Sequence, residues 1–171
     1  MGPVEAIKTC LLKYVTFSGR AARPEYWWFV LFAFLGSAVL SLVDGALFGP
    51  PEPGEGAARP LSGLFQLAVF LPSLAAGWRR MHDTGRKGWL ILLPLLVALV
   101  VDVVLVGGVV GFSLAERAGA PEDELRAAAG VLGGFGLLVG AVLQLGVLVL
   151  MIWWLSRPSE PGANAYGPPP G

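Results

Sequence analysis

His82 and Asp83 stand side by side in the stretch Arg79-Arg80-Met81-His82-Asp83-Thr84-Gly85-Arg86-Lys87-Gly88-Trp89. An imidazole beside a carboxylate can serve as a general base, because imidazole titrates near neutral pH. Neighbouring residues of a loop do not normally point at each other, however, and no Ser or Cys carries a nucleophile-elbow motif. The expected role of His82 is therefore a structural hydrogen bond to a nearby carbonyl or carboxylate, and no catalytic residue is assigned. Arginines offer a second chemistry. Arg20, Arg23, Arg79, Arg80 and Arg86 carry planar forks suited to bidentate phosphate binding. Gly19, Gly85 and Gly88 allow turns and close backbone approach to an anion. Glu25 and Asp83 can orient those arginines as ion pairs. Asn164 and Tyr166 can fold back as a lid hinged at Gly162 and Gly167.

Apolar runs flank these residues. Of 171 residues, 55% are hydrophobic and 14% charged, and mean hydropathy is +0.68. Soluble domains carry about a quarter charged residues, so composition alone selects the membrane class. Net charge is zero, which leaves no global field to attract nucleic acid. Cys10 is the one cysteine. It excludes an intrachain disulfide, and with a single histidine there is no zinc-type ligand set. Neither a metal nor a cofactor is expected. The first residues lack a continuous apolar core for a cleavable signal peptide, and Ala6 stands where a myristoylation motif needs Ser or Thr.

A spanning helix needs about 20 mostly apolar residues. Four segments qualify, at about 26–48, 61–78, 89–112 and 131–155. They predict an all-α integral membrane fold, a bundle of four transmembrane helices. An amphipathic segment (1–25) precedes them and a tail (156–171) follows. The second span is short and interrupted by Gln66, Pro72 and Gly77, so a re-entrant hairpin is its alternative. In 1–25, Val4, Ile7, Leu11 and Tyr14 recur at helical spacing and predict a helix lying on the membrane surface. Pro50 to Gly56 reads as a flexible polar loop. Pro121 followed by three acids reads as a helix start. Pro94 is placed to kink the third helix.

Lys and Arg mark the cytoplasmic side. Lys8, Lys13, Arg20 and Arg23 precede the first span, Arg79, Arg80, Arg86 and Lys87 separate the second from the third, and Arg157 follows the fourth. The two remaining loops hold most of the acids. Both termini and the His82 loop are thus expected in the cytoplasm, with Trp27, Trp28, Trp78, Trp89, Trp153 and Trp154 as an interfacial belt. Asp102 falls within the third span, about 20 Å from its start by helical rise, and Gln144 reaches a similar depth in the fourth. A carboxylate at that depth needs a partner, a proton or water, so both side chains are expected to face the bundle interior as a polar pair. Gly107-x-x-x-Gly111 and Gly136-x-x-x-Gly140 are small-residue patterns that permit close helix packing.

Three stretches exceed what anchoring requires: Phe17-Ser18-Gly19-Arg20-Ala21-Ala22-Arg23-Pro24-Glu25-Tyr26-Trp27, the His82 stretch, and Pro161-Gly162-Ala163-Asn164-Ala165-Tyr166-Gly167-Pro168. The predicted topology puts all three on one face. Together they resemble the signature of the YhaH-like small bacterial inner-membrane proteins, a domain-of-unknown-function family (number eight hundred and five), over about residues 17–168. Met81, Lys87 and Ala165 depart from its usual pattern. The resemblance implies a helical, multi-pass protein of the bacterial plasma membrane and supplies no reaction. The function expected is then non-enzymatic. A cluster of Arg20, Arg23, Glu25, Arg79, Arg80, His82, Asp83, Arg86, Asn164 and Tyr166 would bind anionic phospholipid or a membrane-protein partner, including a second copy. Positive-inside bias alone accounts for the Arg and Lys, though not for His82, Asp83, Gly85, Asn164 or Tyr166. A small transporter or channel subunit using Asp102 is the alternative, and a lipid-headgroup enzyme the third reading.

Overall fold

A computed structural model describes residues 1–49 and 58–170. The polar loop expected at Pro50 to Gly56 lies outside the described residues. The chain is all-α: α1 (Pro3–Leu12), α2 (Arg23–Phe48), α3 (Pro60–Asp83), a 3₁₀ turn (Gly88–Leu92), α4 (Leu93–Arg117), α5 (Glu122–Ala129), a π-helical stretch (Gly130–Gly136) and α6 (Leu137–Ser156). Four helical segments are long and apolar enough to cross a membrane: Arg23–Phe48, Pro60–Asp83, Gly88–Arg117 and Glu122–Ser156. The second is one continuous helix that runs through Pro72, so no re-entrant hairpin forms. Pro94 lies in the first turn of α4, where its missing N–H has no intrahelical partner to lose. It therefore marks a helix start and not a kink. Glu122, Asp123 and Glu124 fill the first turn of α5 directly after Pro121, as the helix dipole favours.

The described residues form two compact units, 1–91 with 154–171, and 92–153. In the first unit, α2 and α3 pack through an aromatic series. Phe29 and Phe32 lie 5.9 Å apart, Phe32 and Phe65 5.7 Å, and the Phe65 ring rests on Gly36, which has no side chain to displace it. Helix α1 packs on α2 and α3 through one side. Its buried residues are Ala6 and Cys10, with Ile7 against the same core. Val4 and Leu11 stay exposed. Small side chains let α1 approach α2 closely, a requirement that outranks residue size. Buried Asp44 of α2 caps the start of α3. Its carboxylate accepts the N–H of Leu61 at 3.0 Å and the N–H and hydroxyl of Ser62 at 2.8 Å, satisfying donors that a helix N-terminus leaves open.

In the second unit, α4 meets the 130–140 region through glycines. A Cβ at Gly140 would lie 2.7 Å from Cγ1 of Val101, and one at Gly136 3.4 Å from Leu105. The Gly136/Gly140 pair thus forms a contact surface, whereas a Cβ added at Gly107 or Gly111 would meet no other part of the described residues within 4 Å.

Candidate functional site

The three signature stretches meet at the end of the first unit where α2 begins and α3 ends. Local backbone makes this possible. Gly19 and Gly85 take positive φ (84° and 71°) in the turns before α2 and after α3, a region closed to most side chains. Gly88 abuts the Trp78 indole so closely that a Cβ would overlap it. The Ala21 N–H donates to the Arg79 carbonyl at 3.1 Å, joining the first two stretches.

Buried charge dominates this end. Asp83, fully buried, accepts from Arg20 Nε at 2.9 Å through Oδ1 and from Arg80 Nη1 through Oδ2. Ser159 Oγ donates to the same Oδ2 at 2.5 Å. Glu25 pairs with Arg79 at 3.0 Å, and Arg79 also donates to the carbonyls of Thr16 (2.6 Å) and Lys13 (3.3 Å). Three guanidiniums thus face two carboxylates, an excess of one positive charge. The tail meets that excess with backbone oxygen. Arg20 donates to the Gly162 and Glu160 carbonyls, each at 2.7 Å, and Arg80 to those of Leu155 (2.9 Å) and Arg157. Carbonyl dipoles replace the water these cations lost on burial. Arg79 Nε alone in this cluster is buried without an acceptor.

The structure therefore brings together Arg20, Glu25, Arg79, Arg80, His82, Asp83, Asn164 and Tyr166, and corrects the reading of the arginines. Arg20, Arg79 and Arg80 are buried and committed to internal partners, so their forks are not open to an external phosphate. Sequence could not separate the two cases, because topology-setting and core-forming arginines look alike. Arg23 is exposed, and Arg86 is half-buried over the Trp154 ring at 5.0 Å.

His82 lies flat against Tyr166, rings 3.8 Å apart and 2° from parallel. Its Nδ1 is 3.0 Å from the Gly19 carbonyl. An oxygen that can only accept requires the proton on Nδ1. Asp83 is engaged with arginines and Ser159, so the two adjacent residues form no dyad. Asn164 Nδ2 donates to the His82 carbonyl at 3.0 Å and to Glu160 Oε2 at 2.9 Å. Asn164 and Gly167 exchange backbone hydrogen bonds at 3.0 and 3.1 Å. Positive φ at Gly162 (77°) and Gly167 (124°) sets the turns on either side. The tail forms a folded-back strap, its carbonyls accepting from Arg20 and Arg80.

Between this strap and the loop after α3 lies a cleft of about 480 Å³, with Arg86 and Thr84 on one wall and Arg157, Ser159 and Glu160 on the other. Burial, and then the nearby Arg157, both press the Arg86 pKa down.

Asp102 and Gln144 are not brought together. Asp102 is exposed on α4, whereas Gln144 Oε1 is enclosed with no donor. The cause is geometric: Val101 and Leu105 face the glycines, and Asp102 is turned away from that contact. Two clefts along α4 and α6 are lined by residues such as Val100, Val101 and Leu143, and Asp102 lines neither.

Helices of this length and polarity, with a buried ionic cap at one end of the first unit, define a multi-pass membrane protein. The sequence matches the family described as "Protein of unknown function (DUF805)" over residues 14–168, and the chain belongs to that family. It is 41% identical over 96 residues to inner membrane protein YhaH of Escherichia coli strain K12, covering 54% of this chain and 77% of YhaH. It is 44% identical over 83 residues to inner membrane protein YhaI of the same strain, covering 48% of this chain and 64% of YhaI. No solved structure matches it. The protein is thus a multi-pass inner-membrane protein of a family without an assigned function.

Proposed function

We propose that the capped end faces the cytoplasm and binds an anionic phospholipid by its phosphate in the cleft between the Thr84–Arg86 loop and the tail. Lys/Arg asymmetry supports the orientation. One observation carries the binding site: Arg86, Arg157 and Glu160 are the charged residues lining one cleft, a sum of +1 that one phosphodiester balances. Like charges held close together repel, and an anion between them removes that cost. Trp154 beneath Arg86 supplies an aromatic floor of the kind found at headgroup level.

Native mass spectrometry tests this directly. Arg86→Gln with Arg157→Gln removes charge-assisted hydrogen bonds worth about 1.5–3 kcal/mol each, so phosphatidylglycerol retention should fall roughly a hundredfold or more. Phosphatidylethanolamine retention should change little. Equal phosphatidylglycerol retention by wild type and double variant would remove the reading. Changes at Arg79 or Arg80 are no test of lipid binding, because they disturb folding first.

A further inference from the structure

Asp102 makes no hydrogen bond or ion pair within the described residues. Yet it lies midway along the most apolar of the spanning helices. Lipid can cover the valines and leucines around it but cannot satisfy a carboxyl group. The residues sharing its face are Leu95, Leu99, Val106 and Val109, which are 57–62% exposed. Their spacing, 95-99-102-106-109, alternates four and three. This is the repeat of a left-handed helix pair, with Asp102 at a seam position. The surface of α4 that packs inside the chain is a different one, carried by Val101 and Leu105. Within the second unit, one face of this helix is thus built and partnered, while a second is patterned for a partner and left uncovered.

We propose that this second face is a self-association seam. Two copies pair in parallel through Leu95, Leu99, Asp102, Val106 and Val109, with the two Asp102 carboxyls hydrogen-bonded to each other through a shared proton. A second copy is the occupant because it meets the depth requirement automatically. Copies inserted the same way bring the same carboxyl to the same level, so the seam is self-complementary about a two-fold axis. A polar residue at a core seam position also fixes register, since any slip sets a carboxyl against a methyl group. Interhelical hydrogen bonds of this kind hold membrane helices together where hydrophobic burial gives no net drive.

Single-cysteine cross-linking of the full chain in native membranes tests the seam, in a Cys10→Ala background. Leu99→Cys and Val106→Cys should oxidise to disulfide-linked dimers. Val104→Cys, on the opposite side of α4, should remain monomeric. Adding Asp102→Leu to Val106→Cys should cut the dimer yield about tenfold, whereas Asp102→Asn, which still hydrogen-bonds, should retain most of it. Native mass spectrometry of the cysteine-free protein should show the dimer without oxidant, which separates association from trapping. Equal cross-linking at 104 and 106 overturns the proposal. So does a strictly monomeric mass, a hetero-complex with another protein at this face, or a dimer indifferent to Asp102→Leu. None of these outcomes bears on the lipid cleft.

Discussion

Replacing Asp83 with Asn removes one negative charge and almost no volume. In the native cap Asp83 is fully buried, its partner Arg80 is 0% exposed, and the Arg20 side chain is 1% exposed. Solvent screening, which makes surface pairs nearly worthless, is absent here. The substitution raises the excess charge of the cluster from one to two. It also puts an amide nitrogen or a neutral oxygen where Arg20, Arg80 and Ser159 now donate to charged oxygens. Breaking a buried pair in this way costs about 3–5 kcal/mol. For a chain of this size each kcal/mol lowers the melting midpoint by about 2–4 °C, so a drop of roughly 6–20 °C is expected. Thermal unfolding in a mild detergent measures it. A double-mutant cycle isolates the pair: Arg20→Gln should cost less in the Asp83→Asn background than in the wild type. A midpoint within about 2 °C of wild type, or an Arg20→Gln penalty unchanged by the background, would refute the view that this cluster is an electrostatic core.

Two further outcomes follow from other contacts. Asp44→Ala removes three hydrogen bonds at the start of α3 and should cost about 0.5–2 kcal/mol, read in the same melts; no loss would mean the cap is idle. Burial, and next the nearby Glu25, raise the Cys10 thiol to about 12, so Cys10 should resist maleimide at pH 8 until the protein is unfolded. The folded state holds this proton more tightly than the unfolded one. Its contribution to stability is therefore complete below about pH 9 and lost as pH rises towards 12, and rapid labelling of the native protein would contradict the burial.

Hydropathy made the four spans legible because bilayer thickness sets one length for any spanning helix. The three polar stretches were legible as a converging set, and Glu25 and Asp83 pair with arginines as their charges suggested. What the residue types hid is the destination of the arginines. Loop cations that fix topology and core cations inside an ionic lattice are written with the same letters. The acceptors that distinguish them are main-chain carbonyls at Leu155, Arg157, Glu160 and Gly162, which every sequence possesses. The orientation of Asp102 was hidden for another reason. It is decided by the two glycines that Val101 and Leu105 fit against, and the intended use of Gly-x-x-x-Gly spacing is ambiguous in a chain with 24 glycines. In α1 the large residues Val4 and Leu11 mark the exposed face and the small Ala6 and Cys10 the face that packs inward, a division that size alone does not announce.

The separation along the chain between Arg80 and the oxygens that receive it, 75 and 77 residues for Leu155 and Arg157, imposes an order on biogenesis. As the ribosome delivers the first hairpin to the bilayer, Arg20 and Arg80 have no tail to receive them. Asp83 of the same hairpin pairs with both, and water or headgroups must take their remaining N–H groups until α6 has inserted. Closure of the cap is consequently a late maturation step, and a nascent chain stalled before Leu155 carries an open, hydrated end.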